Sequence, residues 1–129
     1  IQHTRPDGEV ENLTTARTYA NIFRILYNAS YLTKEYSNEA LKILTEASFK
    51  TGATSLLPKD VLVAHKFAER TLVYEKGGVA VRQFHECGIV YADNAPYIFC
   101  IMTEGDDYQI LEKAVADISL TVYDEMIKD

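Results

Sequence analysis

The chain has 129 residues, which limits it to one domain or a part of one. Hydrophobic residues make up 47% and charged residues 25%, proportions typical of a folded globular protein, so intrinsic disorder is excluded. A formal net charge of −6, without any Lys/Arg cluster, excludes nucleic acid as a partner because phosphates are bound by basic surfaces. No apolar run approaches the roughly 20 residues that span a membrane. The two cysteines are too few for a disulfide scaffold or a structural zinc site.

The N-terminal stretch 1–13 is polar and contains Pro6 and Gly8, which predicts a surface loop. The chain opens at Ile1 without an initiator Met and without a signal peptide. We therefore expect either a processed start or a piece of a longer protein.

Two amphipathic helices follow. Apolar residues recur at spacings of three and four over residues 19–31, which predicts a helix capped by Thr14 or Thr15. A second stripe over residues 40–48 predicts another helix, with Ser37 as its N-cap. The stretch 49–60 reads as a connection because it contains Gly52 and Pro58.

The pattern becomes β-prone after residue 60, and a final helix closes the chain. A hairpin with its loop at 92–95 would place Cys87 opposite Cys100. Asp106 and Gln109 match a capping box for the last helix, whose apolar stripe runs through Leu111, Val115, Ile118, Val122 and Met126. The β-prone runs are 61–67, 71–75, 79–84, 86–92 and 96–103.

This order predicts an α+β fold: helices, then a three-stranded antiparallel sheet, then a C-terminal helix. The helical part covers residues 1–60, and the sheet with its last helix covers 61–129. The strands are apolar on both faces, which is typical of central strands. We therefore expect the missing neighbouring strands to come from another segment or another chain.

Two lysines are candidates for chemistry. Lys50-Thr51-Gly52 matches a catalytic tripeptide of penicillin-recognising enzymes, but it lies in a loop before Pro58 and we interpret it as a coincidence. Lys66 lies inside an apolar run, where burying an unpaired ammonium would be costly. It either holds a substrate carboxylate as a point charge or extends to solvent from a sheet edge.

No pair of the three histidines has the spacing of metal ligands, so neither a metal nor another cofactor is expected. Cys87 follows His85 by two residues, which puts both on one face of a strand. They could form a nucleophile pair, although a cysteine packed as a small hydrophobe is the simpler interpretation. Cys87 and Cys100 could also oxidise, but two packed thiols are our default interpretation.

Several stretches together resemble the C-terminal half of class A β-lactamase-like serine hydrolases. They are TTARTYANIFRILYNASYL at 14–32, LPKDVLVAHKFAE at 57–69 and HECGIVYADNAPYIFCIMTEG at 85–105, followed by the closing helix. The resemblance implies that residues 1–129 are the C-terminal portion of one β-lactamase/transpeptidase-like domain. The family's first two strands and its N-terminal helix would lie upstream, which accounts for the unpaired sheet.

The family's mechanism is acyl transfer by a Ser in a Ser-x-x-Lys motif. This chain has no convincing instance, because Ser30 precedes Lys34 by four residues and Ser37-Asn38 begins a helix in the wrong half of the fold. The resemblance therefore implies a partner: an N-terminal half that carries the nucleophile. The family's loop Glu would also lie at or before Ile1.

The family's Lys-Thr/Ser-Gly strand motif maps onto Lys66-Phe67-Ala68. Lys66 matches and would bind the substrate carboxylate. Phe67 replaces the hydroxyl residue, and Ala68 adds a methyl group where substrate approaches. Glu69 lies where the family's strand supplies a backbone N–H to the oxyanion hole. These departures put efficient β-lactam hydrolysis in doubt.

The leading interpretation is a serine hydrolase acting on β-lactams or D-Ala-D-Ala-type cell-wall peptides, outside the cytoplasm as its family implies. A second hypothesis is a non-catalytic binding or scaffold domain of the same fold. A third is a homodimer of two copies that share strands to complete the sheet.

Overall fold

The computed structural model describes residues 2–4, 10–73, 80–93 and 95–128. Five strands and three helices are present in these ranges. In chain order they are β1 (Gln2–Thr4), β2 (Val10–Asn12), α1 (Ala16–Tyr27), α2 (Lys34–Thr45), β3 (Leu62–Val73), β4 (Ala80–Tyr91), β5 (Tyr97–Gly105) and α3 (Tyr108–Met126).

The three long strands form one antiparallel sheet in the order β3-β4-β5. This confirms the predicted α+β class of helices, sheet and closing helix. The predicted hairpin register is also correct, because Cys87 lies opposite Cys100 and Ile89 opposite Ile98. The predicted breaks within β3 and β4 are wrong, since both strands run without interruption for 12 residues. Polar residues hid this continuity from the hydrophobic pattern, namely Glu69 and Arg70 in β3 and His85 in β4.

Apolar side chains pack against both faces of the sheet. Helices α1 and α2 cover one face, where Phe23 and Leu41 meet Cys87 and Ile89. Helix α3 and the segment 49–57 cover the other face. Ala53, Phe84, Val90, Phe99 and Val115 belong to the buried cluster on that side. Strand β4 is therefore buried on both faces, as its apolar sequence predicts.

The helix caps correct two details of the predicted boundaries. Thr15 caps α1 as expected, since its side chain accepts a hydrogen bond from the Thr18 amide. Helix α2 begins one turn earlier than predicted, with Thr33 as its N-cap, and Ser37 is a buried residue inside the helix. The cap of α3 is Asp107 rather than Asp106.

The N-terminal stretch is not only a loop, because β1 and β2 pair with each other as antiparallel strands. The sequence Lys76-Gly77-Gly78 predicts a turn, but these three positions lie outside the described residues. Cys87 and Cys100 are joined in a disulfide, so the default interpretation of two packed thiols is wrong. Directly opposed cysteines on neighbouring antiparallel strands come close enough to bond.

Candidate active site at the open edge of strand β3

Strand β3 has one edge without a strand partner among the described residues, because it pairs with β4 alone. The pairing of β4 with β5 shows which backbone N–H groups of β3 point toward this edge. Cys87 and Cys100 have Cα atoms 4.0 Å apart, the close spacing of a non-hydrogen-bonded antiparallel pair. The backbone N–H and C=O of Cys87 therefore face β3, where Lys66 lies opposite.

Backbone N–H groups along a strand point alternately to its two edges, so the direction of the other amides of β3 follows from that of Lys66. The amides of Lys66 and Ala68 point toward β4, and those of Phe67 and Glu69 point toward the open edge. The structure thus brings the Glu69 amide to the edge at which a substrate could add as a further strand. The glutamate side chain is exposed and is not needed for this arrangement.

The Lys66 side chain is exposed on the same strand. Its Nζ donates a hydrogen bond to the Phe67 carbonyl oxygen at 2.6 Å, and it lies 4.8 Å from the centroid of the Phe67 ring. No carboxylate pairs with it among the described residues. The ammonium is therefore held at the strand edge with its charge uncompensated, which suits it to bind an anionic group.

Phe67, which we expected in place of a hydroxyl residue, packs into an aromatic cluster. Its ring stacks on Phe49 with centroids 3.8 Å apart and planes inclined by 17°, and it lies 6.4 Å from Phe84. Phe49 belongs to the segment that covers the α3 face of the sheet. The side chain at this position consequently has a packing role and no hydroxyl to offer a ligand.

A cleft of about 390 Å³ adjoins Ala68 on the other face, toward the start of α1. His85 lies directly across from Ala68 and lines this cleft. The His85 Nδ1 atom accepts a hydrogen bond from the Thr103 amide at 3.3 Å, so the ring hydrogen of the neutral form lies on Nε2. The complete lining is Leu13, Thr14, Ala68, Glu69, Arg70, Gln83, His85 and Met102.

A buried acid and a buried histidine lie beside the candidate site, and sequence reasoning missed the pair. Glu86 is 0% exposed and His65 is 1% exposed. The Nδ1 atom of His65 lies 2.6 Å from Oε1 of Glu86. The available signal was an acidic residue at the start of the apolar run 86–92, because a buried carboxylate needs a hydrogen-bonding partner.

Lys50-Thr51-Gly52 lies outside the strands, so it is not a strand motif. Gly52 packs directly over the Glu86 carboxylate instead. The residues that the structure describes contain no group of three or more His, Cys, Asp or Glu side chains arranged to hold a metal ion. None of their helices is long and apolar enough to cross a membrane.

The comparisons with known proteins agree with this architecture. The chain belongs to the β-lactamase enzyme family, whose model matches residues 1–126. A β-lactamase from Chitinophaga pinensis DSM 2588 is similar in structure, with a TM-score of 0.75 and 20% identity over 89% of this chain and 43% of that protein. A class A β-lactamase representative from Bacteroides cellulosilyticus DSM 14838 also has a TM-score of 0.75 and 20% identity, over 90% of this chain and 42% of that protein.

The structure of PBP-A matches with a TM-score of 0.68 and 18% identity, over 93% of this chain and 46% of its own length. The chain thus spans less than half of each of these three proteins. At these identities the three likenesses establish the fold. Among curated proteins, no sequence matches the chain significantly.

Proposed function

We propose that the complete protein is a serine hydrolase that acts by acyl transfer on β-lactams or on D-Ala-D-Ala-type cell-wall peptides. Its serine nucleophile would come from an N-terminal half of the same protein, because this chain has no Ser-x-x-Lys motif. The observation that carries the proposal is the open edge of β3, where the Lys66 ammonium and the Glu69 amide lie three residues apart.

Each group has one task in this reaction. Lys66 binds the substrate carboxylate as a point charge. The serine oxygen forms a bond to the substrate carbonyl carbon, and the C–N bond of the lactam or peptide breaks, with the proton passing to the leaving nitrogen. The Glu69 amide donates a hydrogen bond to the oxyanion of the tetrahedral intermediate. Water then hydrolyses the acyl-enzyme.

The aromatic stack at Phe67 favours a second candidate, a non-catalytic binding domain of the same fold. The hydroxyl that would hydrogen-bond the substrate carboxylate is replaced by a ring that stacks on Phe49. Such a domain would bind the same ligands reversibly through Lys66 without forming an acyl-enzyme.

We further propose that the protein works outside the cytoplasm. The disulfide between Cys87 and Cys100 supports this location, since disulfides persist in oxidising compartments. The location typical of the family agrees with it.

The test is hydrolysis of a chromogenic cephalosporin by the complete natural protein, together with intact-mass detection of an acyl adduct. We expect the Lys66→Ala variant to lower kcat/KM by about 100-fold, since a charge-assisted contact contributes about 1.5–3 kcal/mol. Lys59→Ala, which removes another exposed lysine, is the matched control and should leave kcat/KM unchanged. Saturable binding without an adduct would identify the binding domain, and neither turnover nor binding would refute both candidates.

A further inference from the structure

The strongest unexplained feature of the molecule is the buried carboxylate of Glu86. It lies in the core on the α3 face of the sheet and contacts Nδ1 of His65 across strands β3 and β4. The His65 Nε2 atom is buried without a hydrogen-bond partner among the described residues. A hydrogen on Nε2 would be a buried donor without an acceptor, which is unfavourable. The ring hydrogen therefore lies on Nδ1, which donates it to Glu86, and Nε2 carries a lone pair.

The second carboxylate oxygen fixes a loop. Oε2 of Glu86 accepts a hydrogen bond from the Ala53 amide at 2.7 Å. Gly52 passes so close that a Cβ atom there would lie 2.0 Å from the same oxygen. The carboxylate therefore joins the segment 49–57 to the sheet, and glycine is required for the close approach.

The same loop segment holds both neighbours of Lys66. His65 is tied to the segment through Glu86 and Ala53, and Phe67 is stacked on Phe49. Successive side chains on a strand point to opposite faces, so the Lys66 side chain leaves the strand on the other face, and its Nζ atom then returns to the strand edge beside Phe67. The contacts of His65 with Glu86 and of Phe67 with Phe49 thus fix the backbone on either side of Lys66 and determine its position.

We propose that Glu86 and His65 are positioning residues that hold strand β3 so that Lys66 and the Glu69 amide bind the substrate carboxylate and the oxyanion. They touch neither substrate nor the reacting atoms. This inference rests on the proposed function of Lys66 and adds the buried device that places it.

The test uses two variants of the complete protein. Gly52→Ala pushes a methyl group against the Glu86 carboxyl group, and Glu86→Gln replaces one of its oxygens with an amide nitrogen while keeping the shape. Gly105→Ala is the matched control, because its new Cβ would meet only the Leu111 side chain, at 3.1 Å. We expect amide hydrogen exchange at Lys66 and Ala68 to accelerate at least tenfold in both variants and to stay unchanged in the control.

A second readout separates positioning from general stability. Two substrates are compared, one with a free carboxylate and one with its methyl ester, and the ratio of their kcat/KM values measures recognition of the carboxylate. We expect Gly52→Ala to lower this ratio about tenfold and to add little when combined with Lys66→Ala. Equal losses for both substrates, or exchange that accelerates equally in α1, would overturn the proposal.

The hydrogen-exchange readout does not depend on turnover. If the wild-type protein hydrolyses neither substrate, the proposed function fails. Exchange that is accelerated at Lys66 and Ala68 alone would then still support the anchoring of β3 by Glu86. Exchange that is unchanged there in both variants would refute it.

Discussion

The disulfide between Cys87 and Cys100 gives the sharpest quantitative prediction. Cys87 is fully buried, and its partner lies directly opposite on β5. The pair joins the two strands behind Lys66, which is the neighbour of Cys87 on β3. The perturbation is the double replacement Cys87→Ala with Cys100→Ala. Alanine is preferred to serine because a serine at Cys87 would bury a hydroxyl without a hydrogen-bond partner.

The expected loss of stability on removing the disulfide follows from the length of the loop that it closes. The cysteines are separated by 13 residues, and a loop of this length restricts the unfolded chain by about 3 kcal/mol. Unfolding entropy of about 2.1 cal/mol/K per residue then lowers the melting temperature by about 5–10 °C, with the smaller shift for a larger cooperative unit. The Lys66 edge should remain folded below this temperature, because the ladder between β3 and β4 does not include the bond.

The assay is thermal unfolding of the complete protein with and without reductant. Thiol titration of the denatured, unreduced protein counts the free cysteines. Reductant should lower the midpoint of the wild-type protein and leave the double-alanine variant unaffected, which is the control. Labelling of Cys87 and Cys100 as free thiols in the unreduced protein, or a midpoint that reduction leaves unchanged, would refute the reasoning.

Three further variants test other parts of the structure. Replacing Phe67 by Thr should cost about 2 kcal/mol in denaturant unfolding, because a half-buried ring loses its stack on Phe49; an unchanged midpoint would contradict this packing role. Asp107→Ala should cost about 1 kcal/mol, since the Asp107 carboxylate caps α3, and an unchanged thermal midpoint would contradict that. Burial, and then Tyr123, raises the pKa of Tyr97 to about 12. Stability should thus fall as the pH rises from about 10 to 12, and Tyr97→Phe should remove part of that fall in alkaline unfolding titrations.

The type of each secondary-structure element was predictable from neighbouring residues alone. Apolar residues recur every three to four positions in a helix and every two in a strand. The start of α2 was not predictable in this way, for a reason visible in its packing. Ser37 and Leu41 are both buried on one side of that helix. A serine on the buried side interrupts the apolar stripe, so the first turn resembled a loop and Ser37 resembled its cap.

The stripe of the last helix was half correct. Leu111 and Val115 are buried as predicted, but the stripe then turns outward, and Ile118 is 45% exposed. Buried Ser119 takes its place, because the helix contacts the sheet along residues four apart. A hydrophobic pattern identifies only apolar residues, so it does not detect a small polar residue such as Ser119 that is buried between the helix and the sheet.

The candidate site shows the same limit at longer range. The predicted hairpin placed Cys87 opposite Cys100 because its loop is short, but local pattern does not determine whether opposed thiols bond. The His65–Glu86 contact joins residues 21 apart in the sequence that lie on different strands. Without the register of β3 on β4, the buried acid had no identifiable partner.

In the proposed alignment of the family's strand motif with Lys66-Phe67-Ala68, this chain differs in its side chains more than in its backbone. The Glu69 amide keeps its direction toward the open edge whatever its side chain is, since strand alternation alone sets that direction. Under the proposed function, a phenylalanine at position 67 removes one hydrogen bond to the substrate carboxylate, worth about 1.5–3 kcal/mol or about 10–100-fold in binding. Lys66 would then hold the carboxylate without that hydrogen bond. Its removal should therefore be more damaging here than in a relative that retains the hydroxyl, and Phe67→Thr should reduce that dependence on Lys66 even as it weakens the stack on Phe49.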